Sequence, residues 1–338
     1  MAGLCKNGSM RSQALVILAV SASVALAQSP IRRVDPAFDQ LVSPTAKIEK
    51  VAGGFQFVEG PVWYRKGGYL LFSDIPGNVI MQWSPSGGAT VFRDHIYADS
   101  YPAGKQVGTN GLTLDKRGRI IAAEHGNRRI SRIAQDGKLT VLADRYEGKR
   151  LNSPNDVVVK KNQDIYFTDP PFGLLNPGQG LQDAAKSPLR ELNFNGVFRI
   201  TADGKIDAVV KDIALPNGLA FSPDEKKLYI ANSAGKTWNV YDVKSDGTLA
   251  NGRIFFDADK ETAPGLPDGM KVDTAGNVWA TGPGGILVIS PYAKLLGVIA
   301  FPEVPANCAW GDADGKTLYV TARTGLYRIK TNITGIRP

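Results

Sequence analysis

Short β-type apolar runs recur along this chain, and each run opens at a polar residue followed closely by glycine or another small break. The six openings are Glu59, Asn110, Asn155, Asn217, Asp268 and Asn307. Successive openings are separated by 51, 45, 62, 51 and 39 residues. A period of this size is typical of architectures in which each repeat forms one small β-sheet.

Each repeat has the same internal order of strands and turns. In residues 111–124 and again in 218–232, an apolar strand, a charged turn and a second strand ending in small or polar residues follow one another. Third strands of alternating pattern come next, and Asp-Gly or Gly-Gly pairs after them are strong hairpin signals. Four short antiparallel strands repeated about six times predict an all-β fold, a six-bladed β-propeller of four-stranded antiparallel blades.

The pattern also indicates how the chain is divided. Residues 46–338 are predicted to form one propeller domain, with 46–51 adding an outer strand to the last blade and so joining the two ends of the chain. Residues 28–45 are left as an N-terminal extension. The third repeat is the longest because it contains a Gly- and Pro-rich insertion at 172–192, and a loop of this length predicts a lid over the axial pocket.

Residues 1–27 have the features of a signal peptide. Lys6 and Arg11 precede an apolar run over 14–27, which ends in an Ala-Leu-Ala cleavage site before Gln28. The run has about 14 residues, which is short for a bilayer span, although a retained anchor is the alternative. We therefore expect an exported protein, periplasmic or secreted, with no stable membrane insertion after cleavage. Cys308 would be its single thiol, so no internal disulfide is expected.

Composition and charge narrow the range of partners. Hydrophobic residues make up 43% of the chain and there are 37 glycines, as in a turn-rich globular protein. The formal net charge is +8, but the positive residues are scattered through loops without a long basic run. This distribution does not favour a nucleic-acid partner. We expect a monomer or a weak dimer that acts on a small molecule.

The polar openings are candidates for a metal site. A single Asn-Gly or Asp-Gly is most simply a turn residue, but the innermost strands of a propeller line its axis, and six openings in register would meet there. Two carboxylates and two carboxamides form a plausible oxygen-only ligand set: Glu59, Asp268, Asn155 and Asn217. Such a set suits Ca²⁺ and accommodates Mg²⁺ or Mn²⁺. A typical zinc site is disfavoured, because the chain has only two histidines and no cysteine cluster.

A set of ordered motifs resembles one known family. EGPVW, NGLTLD, EHGNRRI, NSPNDVVV, YFTDPPFGL, PNGLAFSPDEKKLYIAN and PDGMKVD are similar to the senescence-marker-protein/gluconolactonase/luciferin-regenerating-enzyme family, and particularly to its exported bacterial gluconolactonases. The resemblance covers nearly all of the chain after residue 27. It implies a six-bladed propeller with a divalent cation on its axis, which hydrolyses lactones or, in some relatives, phosphotriesters.

The resemblance also implies roles for single residues. The family's ligand pattern falls on Glu59, Asn217 and Asp268, and Asn155 matches an additional Asn that binds the metal or its water and substrate. The cation would be Ca²⁺ in the first instance, with Mg²⁺, Mn²⁺, Zn²⁺ or Fe²⁺ as alternatives. It would polarise the lactone carbonyl and activate a water, with Asp268 as ligand and general base.

Three further residues are candidates for the substrate wall. Asn110, His125 and Arg150 would bind sugar hydroxyls or stabilise the oxyanion. His125 has an alternative as a structural histidine at a strand end, and Arg150 as a solvated loop charge.

The sixth opening departs from the pattern. Asn307 precedes Cys308 instead of glycine, so it need not point toward the axis, and Cys308 is expected to be a buried small hydrophobe. Two rival functions remain at this point. One is hydrolysis of another ester or a phosphotriester at the same site, and the other is a non-catalytic ligand-binding propeller with a structural metal.

Overall fold

Six antiparallel sheets surround one axis in the computed structural model, which describes residues 29–338. The inner strand of each blade contacts the inner strands of both neighbours, and the ring closes between the sixth and first blades. Blade one consists of Val58–Tyr64, Tyr69–Asp74, Val79–Ser84 and Gly88–Arg93. Blade two consists of Thr109–Leu114, Ile120–Glu124, Arg129–Ile133 and Leu139–Ala143. Blade three consists of Val157–Val159, Ile165–Asp169, Gly196–Ile200 and Ile206–Val210. The predicted six-bladed β-propeller is confirmed.

The remaining blades include two strands from the beginning of the described chain. Blade four consists of Pro216–Phe221, Lys227–Asn232, Thr237–Val243 and Leu249–Asp257. Blade five consists of Met270–Val272, Val278–Gly282, Gly285–Ile289 and Leu295–Ile299. Blade six consists of Pro305–Gly311, Thr317–Ala322, Gly325–Lys330 and Ile48–Gly53. Ile48–Gly53 pairs with Gly325–Lys330, as predicted, and so closes the ring with hydrogen bonds. Ile31–Arg33, which lies in the segment treated above as an extension, pairs with Leu295–Ile299 as a fifth strand of blade five.

Short elements connect or extend the blades. They are the 3-10 helices Pro36–Gln40 and Phe172–Leu174, the α-helix Leu181–Ala184, and the hairpin Arg145–Tyr146 with Lys149–Arg150. Within residues 29–338, none of the helices has the length and apolar character needed to cross a membrane. The predicted signal peptide lies outside the described residues.

Large aromatic residues fill the spaces between neighbouring blades. Trp279 of blade five meets Trp310 of blade six edge to face, with ring centroids 5.1 Å apart. Trp63 of blade one stacks on Tyr319 of blade six at 5.5 Å. Cys308 is fully buried in the same core, and this burial raises the pKa of its thiol to about 12. It is therefore a core residue, as expected from the sequence.

β-Bulges lie at the polar openings of four of the six blades. The inner strands of blades one, two, four and six all shift register at or beside the opening polar residue, between Glu59 and Val62, Thr109 and Leu112, Pro216 and Leu219, and Pro305 and Asn307. A bulge inserts an unpaired residue and changes the direction of its side chain. Four repeats therefore have a β-bulge at the same end of the inner strand.

A separate cavity surrounds the axis at the opposite ends of the inner strands. Its volume is about 680 Å³, and its lining includes Val62, Leu112, Val157 and Lys271. Residues 334–338 lie along it, and the Ile336 N–H donates to the Val272 carbonyl at 2.9 Å. The polar openings and this cavity thus occupy two ends of the same axis.

Candidate active site

Three carboxylates lie close together at the polar end of the axis. Glu59 and Asp156 are buried, with 3% and 2% of their surfaces exposed, whereas Asp268 is partly accessible. Burial, followed by repulsion from Asp156, raises the pKa of Glu59 to about 7. Withdrawal from water and repulsion from Glu59 and Asp156 raise the pKa of Asp268 well above its ordinary value. The three groups therefore form one interacting cluster.

Asn307 holds two of these carboxylates in place. Its Nδ2 donates to Glu59 Oε2 at 2.9 Å and to Asp156 Oδ2 at 3.3 Å. Only 2% of the residue is exposed, and its Oδ1 accepts the Cys308 N–H at 2.8 Å. The suggestion that Asn307 need not point inward is wrong, because the bulge beside it turns the amide toward the axis despite the absence of a following glycine.

Asn217 and Asp268 are linked across blades four and five. Asn217 Nδ2 donates to Ser233 Oγ at 3.1 Å, and Ser233 Oγ donates to the Pro267 carbonyl at 2.6 Å. A hydrogen bond from Asn217 also lowers the pKa of Asp268, against the larger upward effect of burial. Because these bonds use the amide nitrogen, the amide oxygen is the atom that Asn217 can offer to a cation.

Asn155 is placed in the ring chiefly by its backbone. Its N–H donates to the Thr168 carbonyl at 2.8 Å, and its carbonyl accepts the Gly111 N–H at 2.7 Å. The next residue, Asp156, is the one whose side chain contacts Asn307. Sequence reasoning missed Asp156 because it assigned one polar residue to each opening, although the Pro154-Asn155-Asp156 run places two there.

Asn110 and His125 form a buried pair beside the cluster. Asn110 Nδ2 lies 3.1 Å from His125 Nε2, and burial lowers the pKa of His125 to about 3. The imidazole is therefore neutral near pH 7. Within the described part of the chain, Asn110 Oδ1 and His125 Nδ1 have no hydrogen-bond partner. Buried polar atoms of this kind usually find a partner in water or a ligand.

The insertion in blade three begins directly on top of His125. Ser153 Oγ accepts the Gly173 N–H at 2.9 Å, and a β-carbon added at Gly173 would lie 2.8 Å from the β-carbons of both His125 and Ser153. Only glycine allows this approach without displacement of the loop. The first turn of the insertion thus covers the Asn110–His125 pair, and a role of the loop as a lid remains a prediction.

Arg150 lies in the hairpin after blade two and is partly exposed. Its Nη2 donates to the Asn127 carbonyl at 2.9 Å, and its N–H donates to Glu191 Oε2 at 2.8 Å. None of the hydrogen bonds among residues 29–338 joins it to the carboxylates or to the Asn110–His125 pair. In its predicted role, the Arg150 side chain would therefore have to extend across the mouth of the site to contact the substrate.

The donor set fits a hard divalent cation. In the described region, no three side chains of Asp, Glu, His or Cys are arranged to hold a metal by themselves, so amide oxygens have to complete the set. Clustered carboxylates that repel one another are stabilised by a positive charge, and carboxylate and amide oxygens suit Ca²⁺ or Mg²⁺. Glu59, Asn217 and Asp268 meet this requirement, and Asp156 adds a carboxylate beside them.

The raised pKa of Glu59 predicts a pH effect on the cation-free protein. Because its pKa rises from 4.5 to about 7 on folding, the folded state binds more protons between these values. This contribution to stability is present below pH 4.5 and is lost as pH rises through about 7. Denaturant titrations in a chelator at pH 5 and pH 8 should therefore show a smaller loss for Glu59→Gln than for wild type. Equal losses in the two proteins would contradict the assignment.

Comparison with known proteins agrees with this geometry. The family model described as SMP-30/Gluconolactonase/LRE-like region matches residues 57–324. A gluconolactonase of Zymomonas mobilis is 38% identical over 317 residues, which cover 90% of this chain and 87% of that protein. A pentonolactonase of Haloferax volcanii is 29% identical, over 79% of this chain and 81% of that protein.

Solved structures also include a gluconolactonase that is similar to this chain. The structure of a gluconolactonase from Xanthomonas campestris has 33% sequence identity and a TM-score of 0.78, and the match covers 90% of this chain and 95% of that one. The family match over residues 57–324 includes strands of all six blades, and each gluconolactonase match covers 90% of this chain. The chain therefore belongs to the SMP-30/gluconolactonase/LRE-like family.

Proposed function

We propose that this protein hydrolyses a sugar lactone of the gluconolactone type to the corresponding aldonic acid. The observation that carries the proposal is the cluster of Glu59, Asp156 and Asp268 on the propeller axis, in a chain whose relatives include a gluconolactonase and a pentonolactonase. A sugar lactone is a small cyclic ester whose hydroxyl groups match the polar lining of this site. The reaction class is hydrolysis of a carboxylic ester bond.

The proposed site holds one divalent cation, Ca²⁺ in the first instance. Glu59, Asn155, Asn217 and Asp268 are the proposed ligands, and the buried cluster of like charges supports this role. The bound cation supplies Lewis-acid polarisation of the lactone carbonyl. Asn307 keeps the Glu59 carboxylate oriented, because its amide nitrogen donates to Oε2 at 2.9 Å.

Asp268 is the proposed general base. Its partial exposure gives a water molecule access to the carboxylate. Asp268 takes a proton from the water as the water oxygen bonds to the carbonyl carbon. The bond to the ring oxygen then breaks, and the proton passes to that oxygen to give the hydroxyl of the aldonic acid.

Asn110, His125, Arg150 and Asn155 are proposed to orient the substrate. His125 stays neutral because its pKa is about 3, so its role is hydrogen bonding and not proton transfer near pH 7. Asn110 Oδ1 and His125 Nδ1, which have no hydrogen-bond partner within residues 29–338, are the atoms proposed to meet sugar hydroxyls, and this requires the loop turn at Gly173 that covers them to move. Arg150 adds a positive charge at the mouth, which suits the carboxylate of the product.

The proposed setting follows from the N-terminal pattern. Residues 1–27 are proposed as a cleaved signal peptide, which places the enzyme in the periplasm or outside the cell as a monomer or weak dimer. Residues 46–338 are proposed as its single domain. The intact mass of protein recovered from an exporting host tests this assignment, because cleavage after Ala27 predicts a chain that starts at Gln28.

A panel of sugar lactones tests the proposed activity. Full-length protein is stripped with a chelator, reloaded separately with Ca²⁺, Mg²⁺, Mn²⁺, Zn²⁺ or Fe²⁺, and assayed by acid release with spontaneous hydrolysis subtracted. We expect turnover of gluconolactone or a related aldonolactone that disappears on stripping and returns with at least one cation. If no lactone is hydrolysed with any cation, a non-catalytic propeller becomes the better interpretation.

A further inference from the structure

A lysine lies between the carboxylate cluster and the cavity at the other end of the axis. Lys271 belongs to the short inner strand Met270–Val272 of blade five, is partly buried, and lines the 680 Å³ cavity. Its Nζ donates to Asn307 Oδ1 at 3.3 Å and to the Met270 carbonyl at 3.0 Å. The ammonium group is therefore fixed on the axis, behind the cluster as seen from the substrate side.

Asn307 connects this lysine to the acids. One end of the amide accepts from Lys271, and the other end donates to Glu59 Oε2 at 2.9 Å and Asp156 Oδ2 at 3.3 Å. A hydrogen bond from a cation to an amide oxygen makes the amide nitrogen a stronger donor. Lys271 thus stabilises the negative charge of two carboxylates through the Asn307 amide, from the side opposite the substrate.

We propose that Lys271 is a resident counter-cation of the axial carboxylate cluster, which stabilises the cation-free propeller and competes electrostatically with the divalent cation. It is a positioning residue and not a catalytic one, because it reaches the acids through Asn307. The inference rests on the proposed function only in requiring that the cluster binds a divalent cation.

Charge balance supports this role. Three acidic side chains share the cluster, and Lys271 lowers the pKa of Glu59 while Asp156 and burial raise it. Without a bound cation, the lysine is a positive group that opposes this repulsion at Glu59. A divalent cation held by the cluster would have the same lysine as a like charge on the far side of Asn307, and like charges inside a protein repel appreciably.

The two roles predict effects of opposite sign from one substitution. Lys271→Met removes the charge and keeps most of the aliphatic length, so it should destabilise the cation-free protein and at the same time tighten cation binding. We expect the dissociation constant for Ca²⁺ to fall about tenfold or more. A lysine with a purely structural role would lower stability without tightening the binding of the cation.

Two further variants separate charge from hydrogen bonding. Lys271→Gln keeps a donor for Asn307 Oδ1 without the charge, and Lys271→Arg keeps both the donor and the charge. Lys116→Met is the matched control, since Lys116 lines the same cavity but is exposed, and its backbone N–H, not its side chain, donates to Gln163 Oε1. Calcium chloride is titrated into each stripped full-length protein by calorimetry at pH 8.5, above the raised pKa of Glu59. Thermal melts are recorded with a chelator and with Ca²⁺.

We expect both Lys271→Met and Lys271→Gln to bind Ca²⁺ more tightly than wild type and to unfold at a lower temperature in the presence of the chelator. Lys271→Arg and Lys116→Met should stay close to wild type in both measurements. If the Met and Gln variants bind Ca²⁺ as wild type does or more weakly, the proposal is overturned while the lactonase function stands. If wild type binds no Ca²⁺ and no lactone is hydrolysed, both fail. If Lys271→Met does not fold without the cation, Lys271→Gln decides by the same criteria.

Discussion

Asp268→Asn should abolish lactone hydrolysis and yet make the cation-free propeller more stable. The substitution removes the proposed general base and one proposed ligand, so kcat/KM should fall by about 10³-fold or more. It also removes one of three mutually repelling carboxylates, so the free energy of unfolding in a chelator should rise. Initial rates of acid release and chemical denaturation of the same preparation measure the two effects.

A buried aspartate elsewhere provides the control. Asp268 precedes the inner strand Met270–Val272 of blade five, and Asp273 follows it. Asp273 is fully buried and accepts hydrogen bonds from the Ala275 N–H, the Asn277 side chain and Trp279 Nε1. Asp273→Asn places a donor where these groups need an acceptor, so stability should fall while the folded fraction keeps its activity. Near-wild-type turnover by folded Asp268→Asn would exclude Asp268 from the chemistry.

Gly60→Ala should prevent the first blade from docking against the second. Gly60 has a φ of +55°, and a β-carbon at this position would lie 1.9 Å from the Asn110 carbonyl oxygen. That overlap is with backbone, so it cannot be relieved by a side-chain rotation. We expect a loss of roughly 3 kcal/mol or more in the free energy of unfolding, or insoluble protein. Denaturant titration measures the loss.

Gly68→Ala isolates the contribution of the backbone angle. Gly68 is in the same blade and also has a positive φ, +67°, but no atom lies within 4 Å of the position of an added β-carbon. Its substitution should cost only about 1 kcal/mol, the usual penalty for a left-handed alanine. Equal losses for the two variants would mean that the contact with Asn110 has no energetic importance.

The repeat pattern is sufficient to predict the fold because a blade is a local structure. Most of the four-stranded units are formed by consecutive strands joined by short turns, so apolar alternation and Asp-Gly pairs specify them without long-range information. The closing strand near residue 48 was also predictable, since the last repeat lacks a fourth strand of its own. The pairing of Ile31–Arg33 with blade five has no comparable signal, because three residues carry too little periodicity.

The site was only partly predictable. The openings and their oxygen-bearing side chains predicted Glu59, Asn155, Asn217 and Asp268 as ligands. The structure links Asp268 to Glu59 by charge and to Asn217 by a hydrogen bond. The role of Asn307 depends on a bulge beside it, and a bulge cannot be read from alternation alone. Asp156 was missed because it follows the opening residue Asn155 directly, where one polar residue was expected. Lys271 was missed because a lysine on a short strand is usually solvated.

The sequence by itself determined the number of blades, the register of the polar openings and the family resemblance, because these properties are repeated locally along the chain. Tertiary structure decided which polar atoms share the axis: Asp156 joins the carboxylates, Asn307 orients them, and Lys271 lies behind them. Those contacts join blades three, five and six to blade one. The physical reason is that charge interactions depend on distances across the ring, which no local pattern along the chain contains.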